Sequence, residues 1–600
     1  MSKGFASNNR MILVAVGVLA CFACVAVRLV FLHVIDRDDL LKFVDKARRQ
    51  IVVEPARRGT ILDVKGNILA TSRSFVVLGA DPEMLRKEDE PKWSELARLL
   101  HLPPDQLTQI LRRGQAGSKL ALATPGDAAK TRRVRWVKLS DEIDESVYDR
   151  VLALKVRGVY GQRDYKRVYP AGHLASHVLG YVNREGTPVS GAENNLDLYL
   201  KGQDGWIESE KDGARRELAQ FRSREVVPQD GNDVVLTIDS VVQHIIEDEL
   251  KLIAAKYDPK FATIIVSDPQ TGAILGLANY PDFDPNFFNK ATLDSLRNNA
   301  VSDVIEPGST FKIVAAGAAL DQGLVTAQTM FDCGITTVNL KGKDRKLPKD
   351  DEPFGPLSVA EIVSHSSNRG AAQLAILMGE ENFYEYVRRY GFGQSTRFPL
   401  GGEVRGILEP PAKWDGLTIT RMPMGHAIAA TPLQIHFAMS AVANAGSLLR
   451  PQIIKEIRDS QGNLVREFAP EKRTQVLKPS TAAVLSQMLA RVFTEGTAKE
   501  FIIPGFELAG KTGTTQKIVD GKYVNNRHVA SFVGFFPASR PQVVLSVIVD
   551  DAKVTRGTAY GRTVAAPAFK HIAEQLIQYY DIKPVLPAPQ RFLAFEGGVR

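Results

Sequence analysis

The chain has 600 residues, with 76 Lys and Arg against 68 Asp and Glu, a net charge of +8 at pH 7. That length calls for more than one domain, and 44% hydrophobic with 24% charged residues excludes collagenous, wholly disordered and polytopic membrane proteins. The mild, dispersed positive excess does not call for nucleic acid, though it suits an anionic surface or polymer.

Residues 11–27 read MILVAVGVLACFACVAV and carry no charge; Arg28 and LVFLHVI extend the run to Ile35. A bilayer-crossing helix needs about 20 mostly apolar residues, and Arg28 can snorkel to the headgroups at its far end. Lys3 and Arg10 precede the run, which favours a cytoplasmic tail over residues 1–10 and an extracytoplasmic body. A cleaved signal peptide is the rival reading, but no clean A-x-A site stands before Arg28 and Val18-Leu19-Ala20-Cys21 is a poor lipobox. Cys21 and Cys24 lie in this run and leave Cys333 alone, so no disulfide framework is expected.

Residues 38–56 read as a short helical stem ending at Pro55. A strand–turn–strand signal follows around Lys65-Gly66-Asn67. Residues 83–125 are polar and partly helical, and KTRRVRWVK (130–138) suits a half-exposed strand. His173 and His177 stand four apart without the Glu or third ligand of a zinc site, so they read as structural, and no metal is expected. Residues 208–230 read as a linker. From Asp233 come a strand (VVLTID), an amphipathic helix (240–257), a hairpin around Pro269-Gln270-Thr271-Gly272, a long helical stretch with loops from 309 to about 500, two strong strands (530–537 and 542–550) and a closing helix. Strands, then helices, then strands imply a layered α/β domain with an antiparallel sheet. Residues 583–600 form a Pro-rich tail.

Three short motifs carry the chemistry. In Glu306-Pro307-Gly308-Ser309-Thr310-Phe311-Lys312, Pro-Gly breaks the chain before an apolar helix, which puts Ser309 at a helix start and Lys312 one turn later on the same face. A serine hydroxyl is a weak nucleophile and needs a base within reach; a desolvated lysine can lose its proton and serve. Ser366-Ser367-Asn368 lies in a polar break before another helix. The Ser366 hydroxyl can relay a proton to a leaving amine, and Asn368 can hydrogen-bond both Lys312 and a substrate amide. Lys511-Thr512-Gly513-Thr514 opens an edge-like strand that ASFVGFFP can pair with. Lys511 supplies positive charge, the Thr512 and Thr514 hydroxyls can bind a carboxylate, Gly513 lets another backbone approach, and the N–H groups of Thr514 and Ser309 can form an oxyanion hole. Each motif alone is weak. Their order and spacing together are the signature set of penicillin-recognising serine acyltransferases.

With these motifs the chain resembles a class B penicillin-binding protein over nearly its whole length. Further resemblance lies in Arg58-Gly59-Thr60-Ile61, in Arg167-Val168-Tyr169-Pro170 with His173-Leu174-Ala175, in Gly191-Ala192-Glu193, in Thr237-Ile238-Asp239 and in Tyr560-Gly561. Ser366-Ser367-Asn368 before its helix is similar to the division-specific, FtsI-like type; elongation-type members more often carry an acidic third residue. The resemblance implies an α+β fold: a transmembrane anchor (11–35), an extended mostly-β, non-catalytic pedestal of dimerisation type (36–230) and a transpeptidase domain (231–582) with an antiparallel sheet covered by helices and an all-α subdomain. It implies a D,D-transpeptidase that cross-links peptidoglycan stem peptides through an acyl-enzyme on Ser309, in septal wall synthesis, without cofactor. β-Lactams are the implied inhibitors. A polytopic glycan polymerase and other divisome proteins are the implied partners. A D,D-carboxypeptidase or β-lactamase shares the motifs and differs in using water as acceptor, and a non-catalytic divisome scaffold is the rival of a different class.

Overall fold

The computed structural model describes residues 8–40, 49–123, 136–211, 217–218, 224–519, 521–555 and 557–584. The uncharged N-terminal run has no polar face to present to water. It forms helix α1 (Asn8–Val30), continued by a π-helical turn (Phe31–Ile35), and the apolar span Met11–Ile35 is long enough to cross a membrane and has none of its surface buried.

The chain divides into two compact units. One comprises the described residues of Met1–Arg57 and Gly202–Asp230. Here Arg49–Glu54 is a strand, paired antiparallel with Gly205–Lys211, which also pairs with Glu217–Leu218 and Arg224–Val226. Two expectations are thereby corrected. The C-terminal end of the stem is extended because Ile51, Val52 and Val53 are β-branched and fit a pleated ladder. The linker carries strands because its alternating GWIES segment presents Ile207 to a buried face. The middle of the stem (41–48), residues 124–135 with most of the basic KTRRVRWVK stretch (130–138), and the tail from 585 onward lie outside the described residues.

The second unit comprises the described residues of Arg58–Lys201 and Gly231–Arg600. Its central sheet has five antiparallel strands: β1 (Phe261–Ser267), β2 (Ile274–Tyr280), β3 (Ala509–Val519), β4 (Lys522–Phe536) and β5 (Val543–Asp550), in the order β2-β1-β5-β4-β3. All eight residues of β5 are buried, as expected of a strand covered on both faces. Helices α2 (Ser240–Tyr257) and α8 (Gly561–Tyr579) share one apolar cluster with Ile264, Phe532 and Val547. The other face meets the core of α3 (Lys312–Asp321), α4 (Val359–Ser364), α5 (Asn368–Met378), α6 (Pro432–Ala443) and α7 (Pro479–Thr494). Short strand pairs interrupt the stretch expected to be helical, such as the hairpin of Thr337–Leu340 with Lys343–Lys346. β3 lies at the sheet's edge and pairs with β4, as expected of the Lys511 strand.

A second, seven-stranded sheet in this unit runs through both sides of position 230. Ile61–Leu62 pairs antiparallel with Ile68–Ala80 and parallel with Asp233–Leu236, and the Val234 N–H donates to the Thr60 carbonyl at 2.8 Å. Beneath it Glu193, fully buried, accepts from Arg58 Nε at 2.7 Å, Arg167 Nε at 2.6 Å and the Tyr169 hydroxyl at 3.2 Å. Two guanidinium groups and a phenol offset the desolvation of one carboxylate. His173 bonds Asp282 at 3.0 Å and buried His177 bonds the Ser295 carbonyl at 2.8 Å. Both histidines have structural partners, and no metal-binding cluster occurs among the described residues.

Candidate active site

The Ser309 motif folds as a tight turn rather than as the first turn of an α-helix. Gly308–Phe311 is 3-10, and α3 proper begins at Lys312. Ser309 is half-buried, one turn before Lys312, whose side chain runs into the core and is 1% exposed. The Lys312 ammonium donates to the Ser366 carbonyl, to the Ser366 hydroxyl at 3.0 Å and to Asn368 Oδ1 at 2.7 Å. From β3, Lys511, fully buried, donates to the same Ser366 hydroxyl at 2.9 Å. One hydroxyl thus lies between two amines, and no carboxylate forms an ion pair with either among the described residues. Burial brings the Lys312 amine down to about 7, against a smaller opposing pull from Asp350 and Asp351. Burial, and then the charge of Lys312, push Lys511 well below the usual lysine range.

Ser366 reaches this position with a positive φ of 65°, an uncommon conformation for a residue with a side chain. What holds it there is the cap of α5. Ser367 caps the helix, its hydroxyl accepting from the Gly370 N–H at 3.0 Å. Asp350, buried, accepts the Ser367 hydroxyl at 3.0 Å and the N–H groups of Asn368 and Arg369. Asn368 Nδ2 donates to the Lys349 carbonyl at 2.7 Å, which aims Oδ1 at Lys312. Asp350 is absent from the sequence-based set. No spacing pattern links an aspartate in a loop to a helix start beyond it.

The Lys511 strand carries the rest. A Cβ on Gly513 would lie 2.3 Å from Ser531 Oγ and 2.9 Å from Thr310 Cγ2, so only glycine lets the strand and the Gly308–Phe311 turn pack this closely. Thr512 is nearly buried and its hydroxyl meets that of Thr497 at 3.1 Å. Thr514 Oγ1 accepts the Gly561 N–H at 2.9 Å and keeps its own proton to donate. Of the residues singled out in the sequence, Lys312, Ser366, Asn368 and Lys511 meet in one hydrogen-bonded cluster, Ser309 stands a turn from Lys312, and Thr512, Gly513 and Thr514 continue from Lys511 along the edge of β3.

Comparison with known proteins shows the family. Residues 262–574 match the penicillin-binding protein transpeptidase domain and residues 53–236 the penicillin-binding protein dimerisation domain. Stage V sporulation protein D of Bacillus subtilis is 33% identical over 544 residues, 90% of this chain and 81% of that protein. A probable peptidoglycan D,D-transpeptidase, PenA, of Neisseria gonorrhoeae is 30% identical over 591 residues, 98% of this chain and 95% of that protein. Among solved structures, penicillin-binding protein 3 of Mycobacterium tuberculosis in complex with aztreonam superposes with a TM-score of 0.67 at 25% identity, covering 90% of this chain and 99% of that one. The chain belongs to the penicillin-binding protein family and is a class B transpeptidase within it.

Proposed function

We propose that Ser309 is the nucleophile of this serine D,D-transpeptidase, which cross-links peptidoglycan stem peptides. The neutral Lys312 amine takes the Ser309 proton as Oγ attacks the carbonyl of the penultimate D-Ala. The N–H groups of Ser309 and Thr514 receive the oxyanion. Ser366 passes the proton to the amine of the terminal D-Ala, which leaves, and an ester remains on Ser309. The amine of a neighbouring stem then attacks the ester, gives its proton back through the same chain, and frees Ser309 with a new peptide bond formed. Lys511, Thr512 and Thr514 hold the terminal carboxylate, and Asn368 holds a backbone amide of the donor. A β-lactam forms the same ester by ring opening and keeps its leaving amine tethered.

The observation that carries this reading is the Ser366 hydroxyl placed at 3.0 Å from Lys312 Nζ and 2.9 Å from Lys511 Nζ. It gives a proton path from a base to a leaving group with no charge left over. Residues 231–582 serve as the catalytic domain and 36–230 as a pedestal. Met11–Ile35 anchors the chain in the cytoplasmic membrane with residues 1–10 inside and the body outside, where the lipid-linked substrate is used. The Ser366-Ser367-Asn368 motif favours septal synthesis, with a polytopic glycan polymerase and divisome proteins as partners. Labelling of the full-length protein with a fluorescent penicillin tests the core of it. Label on the wild type and none on folded Ser309→Ala is expected; label that persists on the variant rejects Ser309 as nucleophile.

A further inference from the structure

Residues 349–355 cross the turn that carries Ser366 and are tied to it at both ends. On one side the Lys349 carbonyl accepts Asn368 Nδ2 at 2.7 Å, and the buried Asp350 carboxylate accepts the Ser367 hydroxyl at 3.0 Å and the Arg369 N–H at 3.2 Å. On the other the Phe354 and His365 rings lie 6.0 Å apart between centroids, and the Gly355 carbonyl accepts the Cys333 N–H at 3.2 Å. Only Asp351, Glu352 and Pro353 lie between Asp350 and Phe354, and all three are exposed. Consecutive Cα atoms are about 3.8 Å apart, so three residues cannot carry the chain far from that turn. Asp351 therefore stands along the Ser366–Asn368 wall of the site, one residue from the carboxylate that fixes Asn368.

Asp351 has no part in the chemistry above. Asp350, its neighbour, has both oxygens occupied by the cap of α5. The Asp351 carboxylate forms no hydrogen bond or ion pair with a described residue. Its charge nevertheless reaches the cluster: it is felt at both buried amines, Lys312 and Lys511, where it opposes the effect of burial.

Which reactant it serves follows from the order of steps. The donor brings a carboxylate, which a second carboxylate repels and which the Lys511 strand receives. The acceptor brings a primary amine, which carries a proton at neutral pH. By microscopic reversibility the incoming nitrogen takes the place that the leaving nitrogen gave up, within reach of the Ser366 hydroxyl. Residues 349–355 flank that same turn, so the acceptor passes Asp351 on its way to the ester. Water, the competing acceptor, has no charge and gains nothing from a carboxylate there, so an anion at this point favours one acceptor over the other.

We propose that Asp351 receives the ammonium group of the acceptor stem and so sets the preference of the acyl-enzyme for an amine over water. The ammonium loses one proton to solvent at the exposed carboxylate, and the neutral amine that results attacks the ester as above. This rests on the transpeptidase reading.

The test uses the full chain in detergent micelles, a synthetic thioester donor that places D-Ala on Ser309, and two acceptors offered together. One is a short peptide with a primary amine; the other is the same peptide with an aminooxy group in its place, uncharged at neutral pH. The yields of the two acyl-transfer products give the ratio of their kcat/KM values. Asp351→Asn should lower the amine-to-aminooxy ratio about fivefold, the upper end of an exposed ion pair, and Asp351→Glu should recover part of it. Salt at about 1 M, which cuts the screening length to about 3 Å, should lower the ratio of the wild type and leave that of Asp351→Asn alone. A ratio unchanged in Asp351→Asn overturns the role, and so does the loss of both products together with the ratio kept, because a displaced Ser366 or an altered Lys312 slows both acceptors alike. Fluorescent penicillin is applied to the wild type in the same micelles: its failure to label Ser309 rejects the transpeptidase reading itself, whereas labelling with an unchanged ratio rejects the Asp351 assignment alone.

Discussion

The Asp350 carboxylate accepts the Ser367 hydroxyl at 3.0 Å and so joins a loop to the start of α5. Through that bond and the Asn368 and Arg369 N–H groups, a residue that touches no reacting atom sets where Ser366 and Asn368 point. It is a positioning residue.

Asp350→Ala should leave the Ser367 hydroxyl proton and the backbone N–H groups of Asn368 and Arg369 without acceptors. The expected cost is about 1–3 kcal/mol of stability, read as a lower Tm. The penicillin acylation rate should fall in the same variant, and Asp350→Asn, which keeps an acceptor, should recover part of it. Normal acylation by a folded Asp350→Ala protein would show that α5 needs no such anchor.

Lys312→Ala should slow acylation by about 10²–10⁴, the usual worth of a positioned base. Lys312→Arg should do no better, because a guanidinium does not give up its proton. Stopped-flow acylation of both variants decides this, and an active Arg variant removes Lys312 from the role of base.

The buried Lys312 amine, at about 7, also sets a pH dependence. Acylation needs the neutral form, so its second-order rate should climb with pH and level off above about 7. Stability follows the same sign. Between about 7 and the ordinary lysine value of 10.5 the unfolded chain binds the proton and the folded one does not, so stability rises with pH across that window. Denaturant midpoints at both ends of the window, for the wild type against Lys312→Met, isolate this contribution; a wild-type gain no larger than the variant's would contradict it.

Glu193→Ala should cost about 3–5 kcal/mol, because Arg58 and Arg167 would be left as buried charges without their shared partner. Calorimetry of the full-length variant reads the loss. A Tm within a degree of the wild type would mean that solvent, together with Asp197, which also pairs with Arg58, compensates the loss.

Much of this was legible in the sequence, for a physical reason. The Ser309–Lys312 pair, the Ser366–Asn368 pair and the Lys511 strand are each local, so turn breakers, helical spacing and strand alternation reveal them. Strands β1, β4 and β5 and helix α8 were equally plain as long apolar runs. What stayed hidden was set by contacts between distant segments. Asp350 lies in a loop with no period of its own, and the Glu306 carboxylate takes its partners, the Ala427 N–H and the Tyr523 hydroxyl, from 121 and 217 residues away. The strand at Arg49–Glu54 read as a stem because its partner, Gly205–Lys211, lies far along the chain.

The pairing of Ile61–Leu62 with Asp233–Leu236 bears on how the catalytic half can be handled. A fragment cut at 231 would lose that neighbour and expose a row of unpaired N–H and C=O groups along Asp233–Leu236, beside the buried side chains of Val234 and Leu236. An open edge of this kind is a template for pairing with another chain. Isolated residues 231–582 should therefore self-associate at concentrations where residues 36–600 together stay dispersed, and a graft supplying residues 58–71 should restore dispersion.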